Sequence, residues 1–261
     1  MNSPIGIFDS GLGGLSVVEP IRRLLPDESL IYVADSAHCP YGNKPGDYLR
    51  RRARIIAEFL VDQGCKALVV ACNTATAATV MMLRECHDLP VVGLEPAVKP
   101  AVGVTRKGVI GVLATSGTLQ SEQFAALLRR HAASATVLAE ACPGWVEAVE
   151  RTQLQCPETE ALVEQHVRPL LAKGADTLVL GCTHYPFLRP HIERIAGPEV
   201  TVIDTGEPVA RQLQRRLNEQ GLLAGPARPS LSFYTSGDPS AATAFVRTVC
   251  PEVALIGAFP G

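Results

Sequence analysis

Two segments in the first half of the chain recur, in the same order, in the second half. IGIFDSG at residues 5–11 resembles IGVLATS at residues 110–116. QGCKALVVACNT at residues 63–74 resembles KGADTLVLGCTH at residues 173–184. A Cys-Pro pair also recurs between these segments, at residues 39–40 and 142–143, and a Glu-Pro pair recurs after them, at residues 95–96 and 207–208. Matches that keep one order indicate two related halves, and this duplication limits the possible folds more than any other feature.

Short apolar runs alternate with amphipathic stretches, which predicts alternating strands and helices. Strands are predicted over residues 5–8, 30–34, 67–71, 91–94, 109–114, 136–139, 177–181, 200–204 and 231–235, and helices over 47–63, 145–150 and 208–220. Most strand runs are continuously apolar, as in parallel strands covered on both faces. We therefore expect an α/β protein with two pseudo-symmetric domains, residues 1–95 plus 207–261 and residues 96–206. A single (β/α)-barrel, which can also be duplicated, is the alternative.

Composition and charge exclude several classes of protein. The chain has 24 Lys and Arg against 26 Asp and Glu, so no nucleic-acid partner and no anionic membrane surface are expected. No uncharged apolar run is long enough to span a bilayer, and the N-terminal segment lacks the features of a signal peptide. The 8 cysteines contain no C-x-x-C pair. We expect a reduced, soluble, cytoplasmic protein without a disulfide framework.

Two cysteines differ from the others because each follows the repeated strand of its own half. Cys72 and Cys182 come directly after predicted strands, at the end where open α/β sheets place their ligands. A helix N-terminus at that end favours the thiolate. Taken singly, either cysteine fits a core position, whereas the repeat-related pair indicates catalysis. Cys39 and Cys142 lie in corresponding loops and stay open between a structural and a functional role, of which the structural one is favoured. Core positions are expected for Cys65, Cys86, Cys156 and Cys250.

Two thiols related by a pseudo-two-fold axis would face each other across a cleft. Such a pair can remove a proton from one face of a carbon and return a proton to the other face, which is racemisation or epimerisation. A phosphatase loop would need an arginine soon after the nucleophile, and neither cysteine has one there. A dithiol oxidoreductase would show C-x-x-C, which this sequence lacks. Zinc ligation by Cys182 and His184 lacks a further ligand cluster. No metal site is therefore expected.

Other polar residues also lie at predicted strand ends. Asp9 precedes the glycine turn at residues 11–14, whose backbone can approach a ligand closely. His184 fits either a catalytic role or a capping role, and Glu150, taken alone, fits a solvated helix face. No arginine adjoins either cysteine motif, so a small acidic substrate would be bound by N–H groups and neutral donors. Those donors are Ser10, Asn73, Thr74 and Thr183.

Four motifs carry a family resemblance. They are IGIFDSGLGGL at residues 5–15, YVADSAHCPYGNKP at 32–45, ACNTATA at 71–77 and LGCTHYPFL at 180–188. Their order and spacing resemble those of bacterial glutamate racemases, and the similarity extends over essentially the whole chain. The two cysteine motifs are typical of the aspartate/glutamate racemase superfamily, and DSGLGG together with PYG indicates the glutamate branch.

The resemblance implies two Rossmann-like domains with the active site in the cleft between them. It implies cofactor-independent interconversion of L- and D-glutamate, supplying D-glutamate for peptidoglycan, by a homodimeric enzyme. Cys72 would deprotonate the D-enantiomer with help from Asp9, and Cys182 the L-enantiomer with help from His184. Glu150 matches a family acidic residue. The implied substrate contacts are Asp9, Ser10, Tyr41, Gly42, Asn73, Thr74, Thr183 and His184, with Thr115 and Thr118 as weaker candidates.

Several alternatives stay open at this point. The nearest is an aspartate racemase or a related small-acid isomerase, and a two-lobed small-molecule binding protein is a non-enzymatic one. A pyridoxal-phosphate racemase would need a lysine in a strand-end loop, and none is found there. Some relatives carry an N-terminal extension and need a peptidoglycan precursor as activator; we expect no such dependence here. No role is transferred to Trp145, because that segment is variable in the family.

Overall fold

The protein consists of two compact units. The structure, a computed structural model, describes residues 3–226 and 228–261, so residues 1, 2 and 227 of the predicted first domain lie outside the described residues. One unit comprises the chain up to Leu94 together with the segment from Gly206 onward, and the other unit is Glu95–Thr205.

Strands and helices alternate along the described chain, as the sequence predicts. The strands are β1 (Ile5–Asp9), β2 (Leu30–Ala34), β3 (Ala67–Val70), β4 (Val91–Gly93), β5 (Val109–Ala114), β6 (Thr136–Ala141), β7 (Thr177–Leu180), β8 (Thr201–Ile203), β9 (Leu231–Thr235) and β10 (Leu255–Ala258). The α-helices are α1 (Leu15–Leu24), α2 (Gly46–Asp62), α3 (Asn73–Cys86), α4 (Val98–Val104), α5 (Ser116–Leu119), α6 (Glu122–His131), α7 (Trp145–Glu150), α8 (Pro157–Ala172), α9 (Arg189–Ala196), α10 (Gly206–Glu219) and α11 (Pro239–Val249). Short 3₁₀ turns cover Ser36–His38, Tyr41–Asn43 and Tyr185–Leu188. Among the described residues, no helix is long and apolar enough to cross a lipid bilayer.

Each unit is built on its own parallel sheet. The strand order is β10-β9-β2-β1-β3-β4 in the first unit and β6-β5-β7-β8 in the second. Neighbouring strands run parallel throughout both sheets. The predicted α/β class with parallel sheets is therefore confirmed, and the single-barrel alternative is wrong because the strands form two separate sheets.

The strand order brings candidate site residues together within each unit. β1 lies between β2 and β3, and β5 lies between β6 and β7. The chain therefore crosses over the central strand, and at such a switch point the loops diverge and leave a crevice at the carboxyl edge of the sheet. Ser10 is the first residue after β1 and Cys72 is the second residue after β3, at one such edge. Thr115 and Cys182 occupy the corresponding positions after β5 and β7.

Apolar strands and one face of each large helix form the core. Every residue of β1, β2, β3 and β7 is buried, which fits strand sequences that are apolar except for Asp9 at the end of β1 and Thr177 at the start of β7. α2 buries Leu49, Ala53, Ile56 and Leu60, whose spacing of three or four residues places them on one helix face. Gly64, with φ of 77°, follows this helix, and a glycine in this left-handed conformation is a common way for a helix to end.

Two features of the fold differ from the sequence-based expectations. β10 was not predicted, because this half-exposed edge strand contains Gly257 and lacks a buried apolar run. The expected core position is wrong for Cys86, which is exposed, and only partly correct for Cys156. It is correct for Cys65 and Cys250: burial raises the pKa of these thiols to about 12 and about 11.

Asp176 stabilises, through hydrogen bonds, the loop that precedes β5 in the second unit. Its buried carboxylate accepts hydrogen bonds from the Thr105 hydroxyl at 2.6 Å and from the N–H groups of Arg106 and Lys107 at 2.7 Å each. Burial opposes ionisation, but these donors outweigh it and hold the pKa of Asp176 at about 2. The carboxylate therefore stabilises the fold fully above its unfolded-state pKa, near 4, and this stabilisation is lost as the pH falls through about 2.

Replacing Asp176 with asparagine should lower the free energy of unfolding by about 2 kcal/mol at neutral pH. The deficit should shrink as the pH falls from about 4 towards 2, because the wild-type carboxyl group is then protonated as well. Urea unfolding at both ends of this range measures the change. Asp62→Asn, at the exposed end of α2, is the matched control. A deficit that does not vary with pH would contradict the assignment.

Candidate active site

The first half-site lies at the carboxyl ends of β1 and β3. The Cys72 Sγ is 4.0 Å from the Ser10 hydroxyl oxygen, which donates to Asp9 Oδ1 at 3.4 Å. The other carboxylate oxygen of Asp9, which is fully buried, accepts the Gly14 N–H at 2.7 Å. The structure thus brings Asp9, Ser10 and Cys72 together, and Asp9 also ties down the glycine turn.

Gly14 has to be glycine because neighbouring groups occupy the space of a side chain. A Cβ atom there would lie 2.7 Å from the Tyr32 hydroxyl oxygen and 2.8 Å from the Asp9 Cβ. The Tyr32 hydroxyl donates to the Gly11 carbonyl at 2.7 Å, which fixes the start of the same turn. The close backbone approach predicted for this turn is therefore used for packing against Asp9.

Cys72 is the N-cap residue of α3. Its sulfur accepts the N–H of Ala75 at 3.4 Å, and the residue is 6% exposed. The unpaired N–H groups and the dipole of a helix N-terminus stabilise negative charge, so this position favours the thiolate. The predicted location of a thiol at a helix N-terminus is confirmed in this half.

Asn73 presents an unsatisfied buried amide beside this thiol. The residue is 4% exposed, and among the described residues neither its side-chain oxygen nor its nitrogen has a hydrogen-bond partner. Leaving such a group unpaired costs about 1–3 kcal/mol. Thr74, the next residue, is 7% exposed. An amide of this kind next to Cys72 indicates a polar ligand that offers both donors and acceptors.

Tyr41 and Gly42 lie in the 3₁₀ turn Tyr41–Asn43. The Tyr41 hydroxyl donates to Asp35 Oδ2 at 2.5 Å, and Asp35 also accepts two hydrogen bonds from Arg52. Burial, followed by the charge of Asp35, raises the pKa of Tyr41 well above its ordinary value. Tyr41 is therefore a neutral donor at physiological pH. Asp35 and Arg52 were not identified from the sequence.

The second half-site is a cysteine, a histidine and a glutamate connected in series. His184 Nδ1 is 3.8 Å from Cys182 Sγ, and His184 Nε2 is 2.7 Å from Glu150 Oε1. His184 is 1% exposed. The carboxylate assigns the hydrogen to Nε2, so Nδ1 can accept a proton from the thiol and, once protonated, donate to the thiolate. Glu150 is therefore not the solvated residue that it resembles when taken alone.

The chain after Cys182 differs from the chain after Cys72. The Tyr185 N–H donates to the Cys182 carbonyl at 3.1 Å and the Phe187 N–H to the His184 carbonyl at 3.1 Å, both with the three-residue spacing of a 3₁₀ turn. The helix α9 begins only at Arg189. Of the two possibilities for the chain after Cys182, the start of a helix or a loop, the structure shows a 3₁₀ turn that separates Cys182 from α9.

Aromatic packing positions the helix that carries Glu150. The rings of Trp145 and Tyr185 lie 4.7 Å apart in an edge-on arrangement, and both residues are fully buried. The Tyr185 hydroxyl donates to the Cys142 carbonyl at 3.3 Å. These contacts fix α7 against the 3₁₀ turn beside His184. Burial, with a smaller contribution from Glu140, raises the pKa of Cys142 well above its ordinary value, which fits its structural interpretation.

The threonines of the second unit lie at the same sheet edge. Thr183, 3% exposed, stands between Cys182 and His184 in the chain. Thr118 is 2% exposed, and its hydroxyl oxygen lies 3.0 Å from the hydroxyl oxygen of Thr115. The Thr118 N–H donates to the same Thr115 oxygen at 3.3 Å. Thr115 in turn caps α5 directly after β5.

The structure sorts the predicted residues into two sets, one in each unit. The first unit holds Asp9, Ser10, Tyr41, Gly42, Cys72, Asn73 and Thr74, and the second holds Thr118, Glu150, Cys182, Thr183 and His184. Asp35 and Arg52 are the polar residues that the sequence reading missed. The only signal for Asp35 was its place after a predicted strand, and Arg52 is hidden among neighbouring arginines of α2.

Comparison with known sequences gives a consistent family. The sequence pattern of the Asp/Glu/hydantoin racemase family matches residues 5–213. A protein of Pseudomonas entomophila named glutamate racemase is 55% identical over 261 residues, which cover 99% of this chain and 98% of that protein. Similarity at this level extends over both units.

Solved structures agree with the sequence comparison. A glutamate racemase of Bacillus anthracis superposes with a TM-score of 0.90 at 37% identity, covering 99% of this chain and 98% of that chain. The Escherichia coli glutamate racemase, solved in complex with L-glutamate and the activator UDP-MurNAc-ala, gives a TM-score of 0.88 at 30% identity, covering 98% of each chain. Both matches include essentially the whole chain.

Proposed function

We propose that this protein interconverts L- and D-glutamate by proton transfer between two cysteines and Cα. The premise is that the chain belongs to the Asp/Glu/hydantoin racemase family and, within it, to the glutamate racemases. Members of this family are isomerases. The prediction of an enzyme is therefore confirmed, and the alternative of a non-enzymatic binding protein is wrong. The observation that supports the two-cysteine mechanism is that Cys72 and Cys182 follow corresponding strands and that each sulfur has a polar neighbour, the Ala75 N–H for Cys72 and the His184 ring for Cys182.

The reaction from D-glutamate begins at Cys72 in this proposal. The thiolate at the N-terminus of α3 takes the Cα proton and becomes a thiol. Cys182, as a thiol, gives its proton to the opposite face of Cα and becomes a thiolate, and L-glutamate is formed. The step adds one proton to Cys72 and removes one from Cys182, so the proton count of the two thiols together is unchanged. No oxidation step is involved, and the proposed mechanism uses no cofactor.

In the L-to-D direction the histidine pair supports Cys182. The neutral His184 ring withdraws the thiol proton, and the imidazolium then donates to the thiolate. Glu150 keeps the ring oriented and stabilises its positive charge, as a carboxylate does behind a catalytic histidine. Asp9 would act on Cys72 through Ser10, whose hydroxyl contacts both residues.

Substrate recognition is assigned to neutral groups. Asn73 supports this assignment because its buried amide has no partner among the described residues. The N–H groups of the turns around Ser10 and Gly42 would bind carboxylates, with Thr74 and Thr183 as further donors. Fixed cations would stabilise the bound ground state at least as much as the transition state, and neutral donors avoid this.

The cellular role is proposed from the relatives. The Escherichia coli relative was solved with the activator UDP-MurNAc-ala, and MurNAc is a peptidoglycan building block. This supports D-glutamate supply for peptidoglycan synthesis as the role of the present chain, in the cytoplasm. We also propose a homodimer, by resemblance to the family.

Turnover on four amino acids tests the proposed function. Purified protein without added cofactor should convert D-glutamate to L-glutamate and L-glutamate to D-glutamate, and should act on either aspartate enantiomer at least about tenfold more slowly. Chiral chromatography of the products measures each rate. Faster turnover of aspartate would identify the enzyme as an aspartate racemase, and no turnover of any of the four would overturn the proposal.

A further inference from the structure

Arg52 and Asp35 form a buried ion pair in the first unit, and this pair takes no part in the proposed proton transfer. Arg52, on α2, donates from Nε and Nη2 to the two oxygens of Asp35 at 3.0 and 2.8 Å. Asp35 is fully buried and Arg52 is 9% exposed. Two parallel hydrogen bonds fix the direction of the guanidinium as well as its distance. Such an arrangement is suited to holding a loop in one position.

The ion pair reaches the half-site through Tyr41. The Tyr41 hydroxyl donates at 2.5 Å to Asp35 Oδ2, the same oxygen that receives Arg52 Nε. The 3₁₀ turn that starts at Tyr41 packs against α3, the helix capped by Cys72. Tyr41 and Cys72 also belong to the same apolar cluster. A displacement of Tyr41 therefore displaces Gly42, the next residue, relative to Cys72.

We propose that Arg52 is a positioning residue of the first half-site, which holds Asp35 and through it the Tyr41–Gly42 backbone that contacts the substrate beside Cys72. The inference rests on the proposed function, because that function assigns Gly42 to glutamate binding. The side chains of Arg52 and Asp35 hydrogen-bond to each other, to the Tyr41 hydroxyl and to the Gly261 carbonyl, so loss of the ion pair should change binding more than proton transfer.

Arg52→Lys keeps the positive charge and loses the two-pronged geometry. The KM for D-glutamate should rise about tenfold or more, with kcat changed less than about threefold, because the binding backbone is misplaced while the thiols are not. Arg54→Lys, exposed on the same helix, is the matched control and should keep the wild-type KM. A purely structural defect would lower the active fraction and hence kcat at unchanged KM. That result would overturn the proposal.

Tyr41→Phe supplies a second variant, which leaves the ion pair in place and decides the question if Arg52→Lys does not fold. It should raise KM similarly, and the two effects should not multiply in the double variant, because both act through Asp35. Calorimetric binding of D-glutamate to each folded variant gives a readout independent of turnover. If the wild-type protein shows no turnover, the proposed function is contradicted. If both variants bind D-glutamate with unchanged affinity, the role of Arg52 alone is contradicted.

Discussion

Replacing either Cys72 or Cys182 with serine should lower the rate of glutamate racemisation about a thousandfold in both directions. A serine hydroxyl is far less acidic than a thiol, so it neither takes the Cα proton nor returns one at neutral pH. Serine is close to cysteine in size, and both sites already contain polar groups, so the fold should be retained. Chiral chromatography of both reaction directions, with circular dichroism to confirm folding, measures the effect.

Cys86→Ser is the matched control for this pair, since Cys86 is exposed at the end of α3 and the same atoms are exchanged. Its activity should stay within about twofold of the wild type, as is usual for exposed positions. If one serine variant lost activity and the other kept more than a tenth of it, a two-thiol mechanism would be contradicted. A single-base mechanism with solvent as the second acid would then be the better account.

Glu150→Gln should lower kcat/KM about a hundredfold. The amide has nearly the shape of the carboxylate, but it carries no charge and can donate to Nε2, which places the hydrogen of His184 on the wrong nitrogen. Because His184 contacts Cys182, the defect should lie in proton removal from L-glutamate. The primary isotope effect with Cα-deuterated L-glutamate should therefore increase more than that with deuterated D-glutamate.

A second carboxylate–imidazole pair provides the control for Glu150. His166 Nδ1 is 2.8 Å from Glu140 Oε1 in the same unit, and neither residue is assigned to the site. Glu140→Gln therefore makes the same chemical change in a similar pair and should leave both isotope effects at wild-type values. Equal losses in the two variants would show that Glu150 serves the fold of the second unit rather than the chemistry of His184.

The fold and the position of both thiols could be predicted because they depend on local patterns. Continuous apolar runs predict buried parallel strands, and the repeat shows that Cys72 and Cys182 end equivalent strands. In an open parallel sheet, a strand end next to a crossover is a ligand-binding position. The site residues adjacent to the strand ends, such as Ser10 and Asn73, follow from the same argument.

The remaining parts of the site could not be predicted because they depend on contacts that are distant in sequence. Glu150 lies 34 positions from His184, and Arg52 lies 17 positions from Asp35. A single acidic residue on a helix, or one arginine among several, carries no local sign that its partner is buried. The 3₁₀ turn after Cys182 depends on hydrogen-bond spacing that the apolar pattern does not encode.

The sulfur atoms of Cys72 and Cys182 have different polar neighbours. In the proposed mechanism, the N-terminus of α3 activates Cys72 and the ring of His184 activates Cys182. The dipole of a helix does not titrate, whereas an imidazole does so near neutral pH. The duplicated fold thus places each thiol after the equivalent strand of its own unit, and we propose that the loop after each strand sets how that thiol is activated.

Exchange of the Cα proton with solvent tests the two-thiol account most directly. The protein is incubated in D₂O, without added cofactor, with either L- or D-glutamate, and the deuterium at Cα of substrate and product is followed by NMR. Deuterium should enter the product in both directions, because the proton delivered comes from a thiol that has exchanged with solvent. Product that retains the original hydrogen, or no exchange from either enantiomer, would contradict the proposed mechanism.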